Sequence, residues 1–473
     1  MNALAEELRR LVGDAHVLAR PTQLLVYRSD ALPGLQRDPG LAVFPGTREE
    51  LIAVVRVLAA HGAPFVTRGA GTGLSGGALA DGITLLGVHR LKRIIDIDPV
   101  ARTATVEPGV VNALLTKAAA PHGLHYAPDP SSQTACTIGG NIAENAGGPH
   151  CLKYGVTLDH VVRATIALPD GEVLTLDRGD HGGYDLLGAF VGSEGCFGVV
   201  VDVTVRLMPD PEAVITLLAD FTSVRAAADA TSLIVAAGIL PAALELMDRP
   251  TIEAVESSIY AAGYPRDAAA VLLVEVDGPA AGLDDDAAAV ERLCRESGAR
   301  DVRVARDPAE RARLWQGRKK AFGAMGRISP HLVVQDAVVP RSRLAELLDS
   351  IAAIGEKHRV RICNVFHAGD GNLHPNIPYD AHDADESARV HAAMREIMAT
   401  CIAAGGTITG EHGVGLDKLE YMEQLFTADT LDAMCSLRDV FDPARRANPG
   451  KTVPVRSCRE WHAAVSARSV AGA

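Results

Sequence analysis

Apolar positions in 51–58 fall at helical spacing, so Leu51, Val54, Val55 and Leu58 share one face. Thr47-Arg48-Glu49-Glu50 stands just ahead of them in the form of a capping box, predicting a helix that runs to about His61. Runs rich in β-branched residues predict strands at 64–67, 83–88, 93–97 and 103–106, with a helix over 111–120. A strand at 161–168 turns through Pro169-Asp170-Gly171 into a partner at 172–176, and 199–207 alternates as a further strand. Pro209-Asp210-Pro211 interrupts the pattern and suits a linker. Beyond it helices and strands alternate, and Ala-rich helices dominate after Ser387. The expected class is α+β, without internal repeats or low-complexity tracts.

Two stretches break this periodicity with glycine. The first is Arg68-Gly69-Ala70-Gly71-Thr72-Gly73-Leu74-Ser75-Gly76-Gly77. Its 71–76 portion matches the G-x-G-x-x-G dinucleotide pattern, and Asp96 follows twenty residues after Gly76. That pattern needs a helix opening directly behind the glycines, facing a pyrophosphate. Here 77–82 runs straight into a strand, so no such helix fits. A loop whose backbone N–H groups surround a diphosphate accounts better for the glycines, with an exposed turn as the plainer alternative. The second stretch joins Pro128-Asp129-Pro130-Ser131-Ser132 to 137–148, with Gly139, Gly140, Asn141, Asn145 and Gly147. Prolines fix its first part, while the glycines would let backbone lie against a flat ligand that Ser and Asn hydrogen-bond.

Candidate chemistry of another kind lies near the end of the chain. His367 and His374 flank Asp370-Gly371, a strong signal for a two-residue hairpin turn in which 367 would pair with 374. Such cross-strand imidazoles would have Cβ atoms about 5 Å apart on one face. With the carboxylate of Glu411, beside His412, they would form a three-ligand metal site with an open position. The bland alternative is a structural turn among sixteen scattered histidines. A calcium loop fits less well, because His374 and Pro375 stand where an oxygen ligand and a glycine belong.

At 473 residues the chain can bury two or three cores, and its formal charge of −13 argues against nucleic acid. Arg318-Lys319-Lys320 is too short to track a phosphate backbone and suits a substrate or a solvated patch. Eight dispersed cysteines lack C-x-x-C spacing, which excludes the usual iron–sulfur and zinc-ribbon patterns and reads as reduced thiols. There is no apolar signal region and no membrane-spanning run, so a cytoplasmic protein is expected, with peripheral membrane association compatible.

The segments 68–77 and 129–148, Gly192-Ser193-Glu194-Gly195 and Val199 resemble the FAD domain of the vanillyl-alcohol-oxidase/PCMH superfamily. The segments 317–322, 326–330, 364–374, 406–415, 441–443 and 448–451 are similar to one branch of it. That branch holds glycolate oxidase flavin subunits and D-lactate and D-2-hydroxyglutarate dehydrogenases. The resemblance implies a lead-in over 1–38, a PCMH-type FAD-binding domain over 39–210, a mixed antiparallel-sheet substrate and metal domain over 211–452 ending in helices, and a tail over 453–473. It implies non-covalent FAD, since no histidine stands in the first loop, held around Arg68, Gly69, Gly71, Thr72, Gly73, Leu74, Ser75, Gly76, Pro128, Asp129, Ser131, Ser132, Gly139, Gly140, Asn141, Asn145, Gly147, Glu194, Gly195, Val199 and Asn448.

It further implies a divalent metal, zinc or manganese, on His367, His374 and Glu411, with His412 as base, Arg318 on the substrate carboxylate and Asn376 on the substrate. The activity implied is oxidation of a small D-2-hydroxy acid such as D-lactate or glycolate. Two positions depart from the branch: Val334 stands where the 2-hydroxyglutarate enzymes have lysine, and Asn376 where glycolate-type relatives usually have an apolar residue. Electrons would pass to a separate iron–sulfur subunit, a quinone or a cytochrome, and a homodimer is compatible. A D-2-hydroxyglutarate-type dehydrogenase, an accessory flavin subunit without a substrate site, a metallohydrolase and a non-redox FAD transferase are the competing readings.

Overall fold

The computed structural model describes residues 2–179 and 183–453; most of the expected tail, with Cys458, lies outside them. Two compact units form. Of the described residues, one comprises those up to 147, those of 156–210 and those from 411 on; the other comprises 148–155 and 211–410. Both units are discontinuous in sequence.

The first unit contains a four-stranded sheet in the order Val17–Leu18, Leu41–Val43, Thr84–Gly87, Phe65–Arg68. The last three strands are parallel, and helix Arg48–Ala60 makes the crossover between two of them. The predicted apolar stripe of that helix is buried, each side chain contributing about 1.5–3 kcal/mol. Thr47 accepts the Glu50 N–H, but the Glu50 carboxylate reaches back to the N–H of Gly46 rather than of Thr47. A five-stranded antiparallel sheet follows, ordered Ile94–Asp98, Thr103–Val106, Val199–Arg206, Val161–Ala167, Val173–Asp177. Its core includes Ile138 and Ile142 from a helix, Ile138–Glu144, that the glycines of the second stretch concealed.

The second unit is built on a nine-stranded sheet. Strand Ala270–Gly278 is buried along most of its length and reads as a nearly unbroken apolar run, as a central strand should. On one side it pairs with Ala213–Phe221 and on the other with Ala243–Asp248, which pairs in turn with Cys363–His367. Helices Val224–Ala236, Leu283–Glu296, Leu344–His358 and Ala384–Ala403 belong to the same unit.

The hairpin around Asp370-Gly371 differs from the expected one. His367 pairs with Asn372, not His374, across a four-residue loop at 368–371. Only Gly371 of the central pair has positive φ, at 79°, whereas the expected turn needs both. Strand Ala337–Val338 pairs with Asn372–Leu373, and Val339 donates to the Gly371 carbonyl. This third strand draws 372–373 into a ladder and lengthens the loop. Among the described residues no disulfide forms, and no helix is long and apolar enough to cross a membrane.

Candidate active site

In the first unit, the strand Phe65–Arg68 feeds the glycine loop. Arg68 folds back so that Nη2 donates to the Ser29 carbonyl at 2.8 Å. Its guanidinium fills the space a Cβ on Gly71 would need, and Gly71 has φ 70°. A Cβ on Gly69 would lie 2.3 Å from Thr137 Oγ1, so the loop backbone approaches the cap of helix Ile138–Glu144. Gly73 has open space beside it, and Thr72, Gly73 and Leu74 are partly exposed.

The second stretch makes a set of contacts within its own fold. Gly139 packs against Pro108, where a Cβ would approach to 2.6 Å. Asn141 Oδ1 accepts from Asn112 Nδ2, which also donates to the Pro128 carbonyl. Asn145 is left-handed at φ 51° and accepts the Leu158 N–H. The Ser132 carbonyl closes a turn onto Ala135 and Cys136, while Ser131 is exposed. Val199 puts its side chain into the core, leaving only its backbone for a ligand.

Other predicted residues do converge. Asn448 Nδ2 donates to the carbonyls of Gly77 (3.2 Å) and Glu194 (2.6 Å). Lys451 Nζ donates to Gly77 O, Leu79 O and Asn448 Oδ1. Burial lowers the Lys451 ammonium to about 8. Ser75 Oγ lies 2.9 Å from both the His412 and Gly413 carbonyls, so it holds the segment bearing the expected base. Glu194 reinforces this: its carboxylate accepts the Val414 N–H at 2.7 Å and the Gly415 N–H at 2.8 Å. Glu144 stands beside it, and burial first, the Glu194 charge second, push the Glu144 carboxyl well above its usual range. These two carboxyls carry one charge more readily than two, with Glu194 holding it because two N–H groups point at it.

The second unit assembles a different constellation. His367 Nδ1 lies 2.7 Å from Glu245 Oε1, and His374 Nδ1 lies 3.1 Å from the Gln335 carbonyl. Both partners are acceptors, so the geometry places each ring's proton on Nδ1, and in a metal site Nε2 would be the nitrogen turned to the cation. The rings lie 5.3 Å apart and nearly perpendicular, despite the two-residue shift in strand register. This donor set fits a divalent metal, since metal-binding imidazoles are oriented in this way.

Arg318, 1 % exposed, pairs through Nη2 with Glu245 Oε2 at 2.5 Å. Its Nε and Nη1 are buried without a hydrogen-bond partner, so two donors await an acceptor. Asn376 spends Nδ2 on the carbonyls of Cys363 and His374, leaving a buried, unpaired Oδ1. Its cross-strand neighbours are Val334 and Cys363.

Two residues that the motifs did not flag belong to this group. Glu245 is one. The other is Asp336, buried, which accepts from Thr409 Oγ1 at 2.6 Å and from the Gly410 N–H at 3.0 Å. Glu411 and His412 follow Gly410 directly, so this anchor fixes where the chain enters them. Each acid sits alone in an apolar or mixed segment and meets its partners from distant sequence, so no spacing could reveal it.

Two family models match the chain: an FAD binding domain over 39–177, and the C-terminal domain of FAD linked oxidases over 210–452. The sequence is 46 % identical to the glycolate oxidase subunit GlcD of Escherichia coli (strain K12), over 96 % of this chain and 92 % of that one. Identity is 42 % with GlcD of Bacillus subtilis (strain 168), covering 90 % and 92 %. With a D-lactate dehydrogenase of Anaerostipes hadrus it is 31 %, covering 87 % and 89 %. Among solved structures, p-cresol methylhydroxylase superposes with a TM-score of 0.80 at 17 % identity, covering 95 % of this chain and 96 % of that one, a likeness of fold.

Proposed function

This chain belongs to the FAD-linked oxidases, and from that premise we propose that it oxidises a small 2-hydroxy monocarboxylate, D-lactate or glycolate, to the 2-oxo acid. FAD-dependent oxidation of a 2-hydroxy acid is the activity of its relatives' class, and this chain is an oxidoreductase of that class. The finer assignment rests on one observation: a buried guanidinium with two unspent donors is tied through one carboxylate to an imidazole that presents Nε2. Such a pairing suits a substrate carboxylate on the guanidinium and a divalent cation on the imidazole.

Arg318 holds the substrate carboxylate through Nε and Nη1, its Nη2 being already engaged. Asn376 Oδ1 accepts a hydrogen bond from a polar group of the substrate. His412 takes the hydroxyl proton as general base. A divalent metal, zinc or manganese, would be held by His367, His374 and Glu411 and, when bound, would acidify that hydroxyl. Bound FAD supplies the hydride acceptor. The hydroxyl loses a proton and its carbon a hydride, and the carbinol becomes the carbonyl of the 2-oxo acid: an aldehyde from glycolate, a ketone from D-lactate. Val334, apolar where a second carboxylate would need a cation, supports a monocarboxylate.

Several relatives are named as subunits, which supports a separate acceptor protein for the electrons. A panel of D- and L-2-hydroxy acids with an artificial dye acceptor tests the assignment. Turnover of glycolate or D-lactate, abolished in His412→Ala while FAD stays bound, is expected. Activity confined to other substrate classes, or a fully active His412→Ala, would overturn it.

A further inference from the structure

Glu245 is fully buried on strand Ala243–Asp248 and stands directly opposite His367 in the antiparallel register. A buried carboxylate is costly unless its charge is matched, because desolvation takes several kcal/mol per ion. Here both matching partners are groups the proposed reaction uses. Oε1 takes the Nδ1 proton of His367 at 2.7 Å, and Oε2 meets Arg318 Nη2 at 2.5 Å. Within the same strand, Asp248 is spent on Thr251 and Asn364, which is ordinary capping and loop support. Glu245 has no such local duty.

We propose that Glu245 is a positioning residue that couples the metal-binding imidazole to the carboxylate-binding guanidinium, so that metal affinity and hydroxy-acid affinity rise and fall together. The proposal rests on the reading of the site given above. Two physical consequences follow from one side chain. On the imidazole side, a carboxylate acceptor fixes the ring plane and its tautomer and makes Nε2 a better donor to a cation. On the guanidinium side, anchoring Nη2 stops a long side chain from sampling other rotamers and aims Nε and Nη1 at one place. Glutamine at this position could still accept from His367 but brings no charge to strengthen Nε2 as a donor, and it would turn an N–H₂ toward the Arg318 cation, so both arms weaken. Aspartate keeps the charge but falls one methylene short of both partners.

The test uses FAD-loaded enzyme and two readouts besides turnover: zinc affinity by chelator competition, and the separation of KM from kcat for glycolate or D-lactate. Flavin content and melting temperature serve as folding checks, since the FAD-cradle residues belong to the other unit. Glu245→Gln is expected to raise KM about 10-fold or more with a smaller change in kcat, and to weaken zinc binding by about 10–100-fold, the usual effect of losing such an outer partner. Glu245→Asp is expected to move both readouts in the same direction by less, and it decides the matter if the glutamine variant does not fold. Wild-type KM and zinc affinity in a folded variant would overturn the coupling. A wild-type enzyme that binds no divalent metal would instead sink the metal reading itself, which the competition experiment reports separately.

Discussion

At Gly413 the backbone sits at φ 80°, and a Cβ there would lie 2.7 Å from Glu144 Oε2 and 2.9 Å from Glu194 Oε1. Alanine would have to displace both carboxyl side chains while holding a left-handed conformation. Gly413→Ala is expected to destabilise by about 1–3 kcal/mol, read as a lowered melting temperature, and to cut kcat because His412 is its neighbour. A variant with wild-type melting and turnover would show that the acid pair does not constrain this residue. The Glu144 carboxyl makes a second prediction. Its native pKa is raised, so the folded state holds its proton more tightly than the unfolded chain does. That stabilising difference is complete below the unfolded pKa and is lost as pH rises toward the native one. Glu144→Gln should therefore lose less melting temperature than the wild type between pH 5 and 8; equal losses would mean the carboxyl is ionised in the native state.

Elements decide how residues far apart in sequence meet. The strand Ala337–Val338 accompanies a two-residue shift of the hairpin register, yet the His367 and His374 rings still meet at 5.3 Å because a shift of two residues keeps a strand's side chains on the same face. Asp336, one residue before that strand, then holds Thr409 and Gly410. Asp336→Asn removes the charge and turns one of the two oxygens shared by Thr409 Oγ1 and the Gly410 N–H into a donor, and weakening these charged hydrogen bonds costs about 1–3 kcal/mol. The expected result is at least a 10-fold lower kcat with flavin content unchanged; an unaffected kcat would show that Gly410 is held by other contacts. At this scale much was legible beforehand. Thr47 and its apolar stripe marked a helix, the missing room at 77–82 ruled out a Rossmann turn, and alternation located the antiparallel strands. Helix Ile138–Glu144 was not legible, because Gly139 and Gly140 lower helix propensity and their packing on Pro108 is a tertiary fact. The register of 363–376 was hidden for the same reason: a third strand, not the turn residues, sets it.

For the whole molecule, the chain leaves the first unit at Asp210 and returns after Gly410, one residue before Glu411 and two before His412. The return is pinned on both sides: Gly410 by Asp336 in one unit, and the 412–415 segment by Ser75 and Glu194 in the other. A formal charge of −13 with an anionic substrate means that the local cations must outweigh the field of the whole protein. Arg318 already faces the Glu245 carboxylate, so the proposed divalent cation would supply the surplus positive charge that a substrate anion needs. The decisive measurement is anaerobic mixing of the FAD- and zinc- or manganese-loaded protein with glycolate and with D-lactate while the visible flavin band is followed. The band should bleach with at least one acid and stay oxidised after the metal is stripped with chelator. A metal-loaded, FAD-replete protein whose band neither acid touches would contradict the account.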